Sequence, residues 1–452
     1  MLRIKKILIA IPVLIMLGFA SLSFISRDSE SSEGLILATI HPLSDDFSDD
    51  LLYPKSARII QYNLNTEQFV ELTPDFVSAR GGEASYDGKK VVFTGIQQNQ
   101  EHWQIWELDL NSKDVQQMSY LPFNCTDPTY LPDGSIVFSG QEHNNDQHAL
   151  FVINPQQELK KLTFHPAEDR HAMILQDGRI MVNSSADSDS GQQSKQLALR
   201  PDGTKVMLYH TTAPENTLFG QAAEREDNTI FYISTTDEVS SVNSFHHNDP
   251  NATERVWNKD ADIQYLSVYP LKDSLLVTYT KKGDNQAKLG LLYNGATEEL
   301  MSYDNHHVLE ASMIRSRPLP KILPSRIEET DDNGLLLGIG LPGDGAIMEQ
   351  STRKIAVWSD EKKLGEVPLY SDGSYYIEVP SNTPLKIVQM DSNSNAVADA
   401  SDWFWVKPKE RRGCIGCHAD QSWVPDNRVP MSVSEKPVDI TLNMNDLTGH
   451  VN

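Results

Sequence analysis

The most reactive side chains of the sequence form one short motif near its C-terminus. Cys414, Cys417 and His418 are spaced as Cys-Ile-Gly-Cys-His, the spacing used for covalent attachment of a c-type haem. Two thiols separated by two residues can form thioethers with the two vinyl groups on one edge of the porphyrin. The histidine that follows is then placed to bind the iron. The motif predicts one covalent haem c, with His418 as the proximal iron ligand.

Two other kinds of site also use a Cys-x-x-Cys pair. A thioredoxin-like redox pair requires a βαβ context, which is absent around the motif. A structural zinc ion requires two further ligands nearby. Haem attachment is the interpretation that uses the histidine as well as both thiols. The third cysteine, Cys125, has no other free thiol to pair with and is expected to be a small buried residue.

Residues close to the motif could complete a haem site. Arg411 and Arg412 precede it and are candidates for contacts with the haem propionates, with a solvated surface position as the alternative. Candidates for a distal iron ligand are His450, Met431 and Met444 in the C-terminal tail, or a histidine of the region before it. Three tryptophans are candidate walls of the haem pocket, with ordinary core positions as the alternative: Trp403, Trp405 and Trp423.

The middle of the chain repeats itself every 44 to 50 residues. A turn that contains Asp precedes a short β-rich run at each repeat, and a second Asn- or Asp-rich turn follows the next run. A third marker follows in the same phase, at Glu71-Leu72-Thr73, Gln117-Met118-Ser119 and Lys161-Leu162-Thr163. Three markers that keep one period with four short strands predict the blades of a β-propeller over residues 31–317. We expect six blades, with seven as the alternative. The pattern resembles the TolB-like, WD40-like exported propellers. The turns that carry the period are Asp87-Gly88, Asp133-Gly134, Asp177-Gly178, Asp227-Asn228 and Lys272-Asp273.

The ends of the repeat region predict how the ring closes. The opening unit runs from Gly34 to Thr73 and has no strand ahead of Leu35. A late segment, Glu310-Ala311-Ser312-Met313, echoes the strand that precedes the first Asp-Gly turn. We therefore expect this segment to pair with the opening unit and remove its free edge.

Six histidines of the repeat region are more typical of surface or hydrogen-bonded positions than of metal ligands. They are His165, His171, His246, His247, His306 and His307.

The pattern changes after the repeats. Prolines mark a linker over 318–333, and alternating apolar residues with Gly-rich turns over 334–406 predict a small β-sandwich. Residues 407–452 form the haem-binding segment. Too few residues follow His418 for an independent cytochrome fold, so the haem should be sheltered by the sandwich and the propeller.

Several spaced motifs over roughly 330–440 agree in order with one family. They are Asp372-Gly373-Ser374-Tyr375-Tyr376, Thr383-Pro384-Leu385, Trp403-Phe404-Trp405, Arg411-Arg412-Gly413-Cys414 and Asn427-Arg428-Val429-Pro430. This region resembles the hydrazine synthase alpha-subunit middle domain, and a preceding propeller suits that family. The resemblance implies a haem attached at Cys414 and Cys417, with His418 as its ligand.

One departure limits what the resemblance implies. The resemblance to that family implies two haems, with the catalytic haem on a separate attachment site. This sequence has a single Cys-x-x-Cys-His motif. We therefore expect one haem, and we do not carry over a catalytic haem or hydrazine synthesis.

The N-terminus predicts export. Residues 7–25 are uncharged and mostly apolar. The basic residues Arg3, Lys5 and Lys6 precede this stretch, and a polar segment follows it. This favours a membrane anchor over a cleaved signal peptide within residues 1–30, with the body on the periplasmic or cell-surface side. The formal charge of −24 disfavours nucleic acid as a partner and allows attraction of a basic redox protein.

Three functions follow from these features. The first is an exported, membrane-anchored monohaem cytochrome c that transfers electrons. The second is a haem enzyme acting on peroxide or a small nitrogen compound, which requires an open iron site. The third is a propeller that binds a partner or senses a ligand.

Overall fold

The computed structural model describes residues 34–43, 52–142, 147–188, 191–211, 216–328, 330–339, 351–398, 400–414 and 429–440. The predicted anchor lies outside these ranges, as do Cys417, His418, Trp423, Met444 and His450. Within the described ranges, no helix is long and apolar enough to span a bilayer.

Four-stranded antiparallel sheets follow one another from Leu35 to Met313. The first sheet combines β1 (Leu35–Pro42), β2 (Arg58–Asn63) and β3 (Gln68–Glu71) with the late strand β24 (His306–Met313). Each later sheet uses four consecutive strands. The second and third contain β4 (Ser78–Ala84), β5 (Lys90–Ile96), β6 (Gln104–Asp109), β7 (Val115–Gln117), β8 (Cys125–Tyr130), β9 (Ile136–Gln141), β10 (His148–Ile153) and β11 (Leu159–Lys161).

Three further sheets follow in the described part of the chain, and a short helix, α1 (Pro250–Thr253), lies between two of their strands. Their strands are β12 (Glu168–Ile174), β13 (Ile180–Ser188), β14 (Gly191–Leu199), β15 (Met207–His210), β16 (Thr217–Glu224), β17 (Thr229–Thr236), β18 (Val239–His246), β19 (Arg255–Asn258), β20 (Ile263–Pro270), β21 (Leu275–Lys281), β22 (Lys288–Tyr293) and β23 (Ala296–Met301).

The second strand of each unit explains why these sheets stack. In β5, β9 and β13 the runs Val91–Phe93, Ile136–Phe138 and Ile180–Val182 are buried at every residue. Apolar side chains on both faces of a strand require a neighbouring sheet on each side. The Asp-Gly turns before these strands have positive φ at glycine, 71° at Gly88 and 88° at Gly178, the conformation that only glycine adopts without strain.

The innermost strands form a closed ring. They contact one another in the order β24, β4, β8, β12, β16 and β20, and β20 contacts β24 in turn. The ring closes where β24 pairs with β1, with Ile36 opposite Met313 and Ala38 opposite Ala311. This is the pairing that the late segment predicted. The chain is therefore all-β with a propeller-like array of sheets.

A second module follows the linker. One sheet has the order β30, β25, β28, β31, and the other has the order β27, β26, β29. The two sheets enclose an apolar core that includes Leu336, Ile355, Val357 and Ile377, which makes a small β-sandwich. A short 3₁₀ helix, η1 (Met431–Ser434), precedes the last strand. The strands are β25 (Asn333–Gly338), β26 (Lys354–Ser359), β27 (Lys362–Pro368), β28 (Tyr375–Pro380), β29 (Lys386–Met390), β30 (Arg411–Cys414) and β31 (Val438–Asp439).

The sandwich is fastened to the propeller by its own side chains. Trp405 is almost fully buried among the propeller residues Leu162, Ile174 and Leu199. Its indole N–H donates to the Gly203 carbonyl at 3.0 Å. This hydrogen bond joins the two modules near the strand that carries Cys414.

Candidate functional site

The first cysteine of the Cys-x-x-Cys-His motif ends a strand. Cys414 is the last residue of β30, which runs parallel to β25 and places Cys414 opposite Gly338. Its thiol is free and half-buried against the sandwich core. The chain that follows, with Cys417 and His418, lies outside the described residues. A thiol held at a strand end and reachable from solvent fits the requirement for thioether formation.

The two arginines before the motif have different surroundings. Arg412 donates from Nη1 to the Trp405 carbonyl at 3.0 Å and from Nη2 to the Val206 carbonyl at 2.9 Å. Its guanidinium also lies 5.2 Å from the ring centroid of Phe404. Arg411 is exposed, and its carbonyl accepts a hydrogen bond from Lys205 Nζ at 2.6 Å. Arg412 therefore links β30 to the propeller, and Arg411 keeps an exposed side chain at the start of the strand.

Among the candidate distal ligands of the C-terminal tail, Met431 lies within the described residues. It begins η1, and its backbone N–H donates to Asp372 Oδ2 at 2.9 Å. The next residue, Ser432, donates its N–H to Ser374 Oγ at 3.1 Å. Ser374 precedes β28, whose first residue pairs with Gly338, the residue opposite Cys414. Cys414 and Met431 therefore lie at the same end of one sheet, and the Met431 side chain is half-exposed.

The described tryptophans of the predicted haem wall have other partners. Trp405 belongs to the core between sandwich and propeller, where its ring meets His165 edge-on at 5.0 Å. Trp403 is half-buried, with the Lys386 ammonium 4.7 Å from its ring centroid. Trp405 is thus an ordinary core residue of the interface, which is the alternative stated above.

Cys125 lies far from the motif in sequence and in a different environment. It is fully buried in the apolar core between the second and third sheets. Burial raises the pKa of its thiol to about 12, which makes it inert as a nucleophile at neutral pH. This agrees with the expected small buried residue.

A second cluster of functional side chains lies in the centre of the propeller-like ring. The innermost strands surround a cavity of about 840 Å³, lined by residues from all six of them. β4, β8, β12 and β16 each have a β-bulge at a corresponding position. A bulge re-aims side chains and is frequent beside active sites. The bulges place Gly81, Asp127, His171 and Gln221 on the cavity wall.

An arc of buried charges runs along one end of this cavity. Asp127 Oδ2 lies 2.6 Å from Arg170 Nε, and Asp127 Oδ1 lies 3.9 Å from Arg80 Nη2. Arg80 in turn pairs with Glu310 of β24. Arg170 also lies 3.5 Å from Glu168 Oε1. The arc joins the first sheet to the fourth through side chains alone.

The arc extends to two further polar residues at the same end. His148 Nδ1 lies 3.4 Å from a Glu168 oxygen, and His148 Nε2 lies 2.8 Å from the Tyr53 hydroxyl. Burial raises the pKa of Tyr53, so its hydroxyl stays protonated and can serve as a donor.

Electrostatics decide the charge states in the arc. Burial opposes the charged form of Asp127, yet the permanent cations Arg170 and Arg80 outweigh it and hold the pKa of that carboxyl well below its usual range. Burial lowers the pKa of His171, against the attraction of Asp127. Asp127 is therefore a carboxylate and His171 a neutral imidazole at neutral pH.

Sequence reasoning missed this arc because its members are far apart in the chain. It placed His171 among the histidines expected at surface or satisfied positions. The available signal was positional: Gly81, Asp127, His171 and Gln221 each stand six residues before the Asp of a repeat turn.

The other histidines of the repeat have polar partners in the described structure. His165 Nε2 lies 2.9 Å from both oxygens of Asp169. His247 lies between Asp177 and Glu224 at 3.3 and 3.4 Å. His246 Nδ1 accepts from the Asn248 N–H, His306 Nδ1 lies 2.8 Å from the Asp304 carbonyl, and His307 Nδ1 accepts from the Ala287 N–H.

Taken together, fold and motif define a class: an all-β protein in which a propeller-like ring carries a β-sandwich with a Cys-x-x-Cys-His motif at one strand end. Residues 322–419 match the family described as the hydrazine synthase alpha subunit middle domain. The resemblance predicted from the spaced motifs is confirmed for this region.

Hydrazine synthase from Kuenenia stuttgartiensis and TolB from Acinetobacter baumannii are similar to this chain. An 83-residue stretch, 18% of this chain, is 36% identical to hydrazine synthase subunit alpha of Kuenenia stuttgartiensis and covers 10% of that protein. The structure of Kuenenia stuttgartiensis hydrazine synthase superposes with a TM-score of 0.80 and 17% identity, over 90% of this chain and 72% of that chain. TolB from Acinetobacter baumannii superposes with a TM-score of 0.40 and 12% identity, over 61% and 67% of the two chains. The second comparison shows that the fold is shared across both modules.

Proposed function

We propose that the protein is an exported monohaem cytochrome c that transfers electrons. The observation that carries the proposal is the position of Cys414. Its half-exposed thiol ends a strand that the propeller holds through Arg412 and Lys205, and the remainder of the attachment motif follows directly. Cys414 and Cys417 would hold the haem covalently, and His418 would be its proximal ligand.

The haem would supply a one-electron redox couple. The protein's part is to orient the group and to shield it. Met431 is the better-supported distal ligand, because the Asp372 and Ser374 contacts hold the start of η1 at the end of the sheet where Cys414 lies. His450 remains the alternative ligand. A filled sixth position would suit electron transfer because it leaves no site for a substrate.

The visible and magnetic spectra of the purified haem protein test this function. A low-spin iron that does not bind carbon monoxide rapidly supports electron transfer, and a Met431→Ala variant should then become high-spin. A matched Met444→Ala variant should keep the wild-type spectrum. A high-spin wild type that binds carbon monoxide or cyanide rapidly would contradict electron transfer.

That contrary result would favour the second candidate, a haem enzyme acting on peroxide or a small nitrogen compound. The observation behind it is the match of residues 322–419 to a domain of an enzyme subunit. Turnover of hydrogen peroxide or hydroxylamine by the haem-loaded chain, absent from the Cys414→Ser variant, would establish it.

The location and partner belong to the same proposal. Residues 7–25 would anchor the protein to the inner membrane, with the body in the periplasm, and the acidic surface would attract a basic redox protein. Recovery of the full chain in washed membranes, and its release when residues 1–30 are removed, would support the anchor. A chain found only in the soluble periplasmic fraction would favour cleavage.

We also propose that the sheets of the described ring are the complete set of six blades. The contact of β20 with β24 leaves no gap in the sequence of innermost strands for a seventh. A crystal structure of residues 31–317 showing a seventh sheet would contradict this.

A further inference from the structure

Two residues on the wall of the central cavity have strained backbone conformations. Asp127 has φ of 51° and His171 has φ of 52°, and the equivalent residue of the preceding sheet is Gly81 with φ of 62°. Positive φ is uncommon for residues other than glycine and is unfavourable for them. Glycine would satisfy the backbone at these positions, as Gly81 does. The side chains of Asp127 and His171 therefore have a use that offsets the strain.

The use of Asp127 is visible. Its carboxylate binds Arg170 and is close to Arg80, so it links three neighbouring sheets. The His171 side chain, by contrast, makes no such bond to a neighbouring residue of the described ranges. Its Nδ1 lies 3.6 Å from Asp127 Oδ2, beyond hydrogen-bond distance. Its side chain is 29% exposed and lines the cavity. Among the described residues, nothing hydrogen-bonds to this ring.

Two more polar groups on the cavity wall lack a hydrogen-bond partner in the described structure. Gln221 Oε1 and Ser312 Oγ are buried and have no hydrogen-bond partner within the described ranges. Gln221 occupies the bulge of β16, next to that of β12, which carries His171. Buried polar atoms are almost always paired in folded proteins. Two such atoms on one cavity wall, beside the partly exposed His171 ring, indicate a ligand that completes them.

The chemistry of the wall restricts that ligand. The unpaired Gln221 oxygen accepts hydrogen bonds, and a neutral imidazole has one acceptor nitrogen, so a ligand that donates hydrogen bonds satisfies both. The two arginines of the arc are already neutralised by Asp127, Glu310 and Glu168. The cavity wall as a whole has more carboxylates than cations and therefore disfavours an anion. Its carboxylates are Glu83, Asp127, Glu224, Glu226, Asp227, Asp273 and Glu310, and its cations are Arg225, Lys272, Arg315 and Arg317. The volume of about 840 Å³ suits an organic molecule rather than a bare ion.

We propose that the propeller cavity is a binding site, separate from the haem motif, for a small hydroxylated or amino compound that is neutral or singly positive. His171 and Gln221 accept its hydrogen bonds, and Asp127 fixes the backbone of His171 by accepting its N–H at 3.2 Å. The site lies on the first, third, fourth and fifth sheets and uses no residue of the sandwich.

Saturation-transfer NMR with the full chain tests this site, with glucose and ethanolamine as donor-rich probes and acetate and phosphate as anionic ones. We expect saturation transfer to glucose or ethanolamine and none to the anions. Gln221→Ala should weaken the signal at least tenfold. His306→Ala, which changes a histidine outside the cavity, should leave it unchanged.

His171→Gly separates a ligand role from a structural one. Glycine accepts the positive φ, so this variant should unfold at or above the wild-type temperature while losing the probe signal. His171→Asn, which tolerates positive φ and still accepts hydrogen bonds, should retain part of it. The proposal is overturned if neither donor-rich probe binds, if an anion binds instead, or if His171→Gly and Gln221→Ala both bind as wild type does.

Discussion

Trp405 of the sandwich and Gly203 of the propeller are 202 residues apart in sequence and share a buried hydrogen bond of 3.0 Å. Gly203 has φ of 81°, and a Cβ at this position would lie 2.8 Å from the Leu162 carbonyl oxygen. The turn that receives the indole is therefore one that only glycine can form. This contact fixes the strand that ends at Cys414 relative to the ring.

Trp405→Phe should destabilise the protein because it leaves the buried Gly203 carbonyl without its donor. We expect a loss of about 1–3 kcal/mol in the free energy of unfolding, measured by denaturant titration. Trp358→Phe is the matched control, because the Trp358 indole N–H makes no hydrogen bond with the described residues. Equal effects of the two substitutions would show that the Gly203 contact contributes nothing.

Arg80→Met should destabilise the ring by about 3 kcal/mol, because it leaves the partly buried Glu310 without its cation. Asp127 loses the more distant of its two arginines and keeps Arg170. Arg58→Met is the control. Its Nε lies 3.1 Å from Oε1 of Glu71, whose side chain is 45% exposed. Ion pairs at the surface contribute about 1 kcal/mol or less. Thermal unfolding of both variants decides the matter, and an Arg80→Met protein as stable as the control variant would contradict a closing role for the arc.

His247 should make stability depend on pH in the alkaline range. Hydrogen bonds to Asp177 and then Glu224 raise the pKa of His247 from 6.5 to about 9. The native state holds this proton more tightly than the unfolded state, so the contribution is complete below pH 6.5 and is lost as pH rises towards 9. The stability difference between wild type and His247→Gln should therefore shrink between pH 6.5 and 9. A difference that stays constant from pH 6.5 to 9 would contradict the role of His247.

The two described cysteines should differ sharply in reactivity before haem attachment. Cys414 is half-exposed, whereas Cys125 is fully buried with a pKa raised to about 12. Iodoacetamide should therefore modify Cys414 in the folded apoprotein and spare Cys125, with mass spectrometry of the peptides as the readout. In urea both should react. Protection of Cys414 in the folded apoprotein would mean that its thiol is not available for attachment.

Local patterns predicted much of the fold. Asp-Gly turns with a fixed spacing marked the hairpins, and Glu310–Met313 marked the closing strand, because both signals reside in short segments. β27 and β30 were not predicted. In Lys362–Pro368 the alternation of apolar and polar residues is weak. Arg411–Cys414 forms a strand because it pairs with the edge of β25.

The candidate sites divided in the same way. Cys414 was found because the haem motif is contiguous in sequence. Arg412 was a candidate for propionate contacts, with a solvated surface position as the alternative. The sequence could not show that Val206 and Trp405 would offer it carbonyl oxygens. The arc of Arg80, Asp127 and Glu310 depends on sheets meeting around a cavity, a relationship that no local pattern encodes.

The role of His418 as the proximal iron ligand is the part of the haem proposal that a single substitution can test. His418→Ala keeps both thiols, so thioether formation remains possible in principle, but the iron loses its proximal nitrogen. We expect a sharp drop in haem-loaded protein and an altered spin state and potential in what remains. Circular dichroism should show the ring still folded, because its sheets bury their own core. An unchanged spectrum would show that His418 is not the ligand.

The most direct test of the account is the mass of the denatured chain after expression with the c-type maturation machinery. The account predicts a gain of one haem that survives denaturation, with absorbance retained on a denaturing gel. Cys414→Ser/Cys417→Ser should lack both, while Cys125→Ser should keep both. A wild-type chain with the mass of its unmodified sequence would contradict the central claim that this strand end carries a covalent haem.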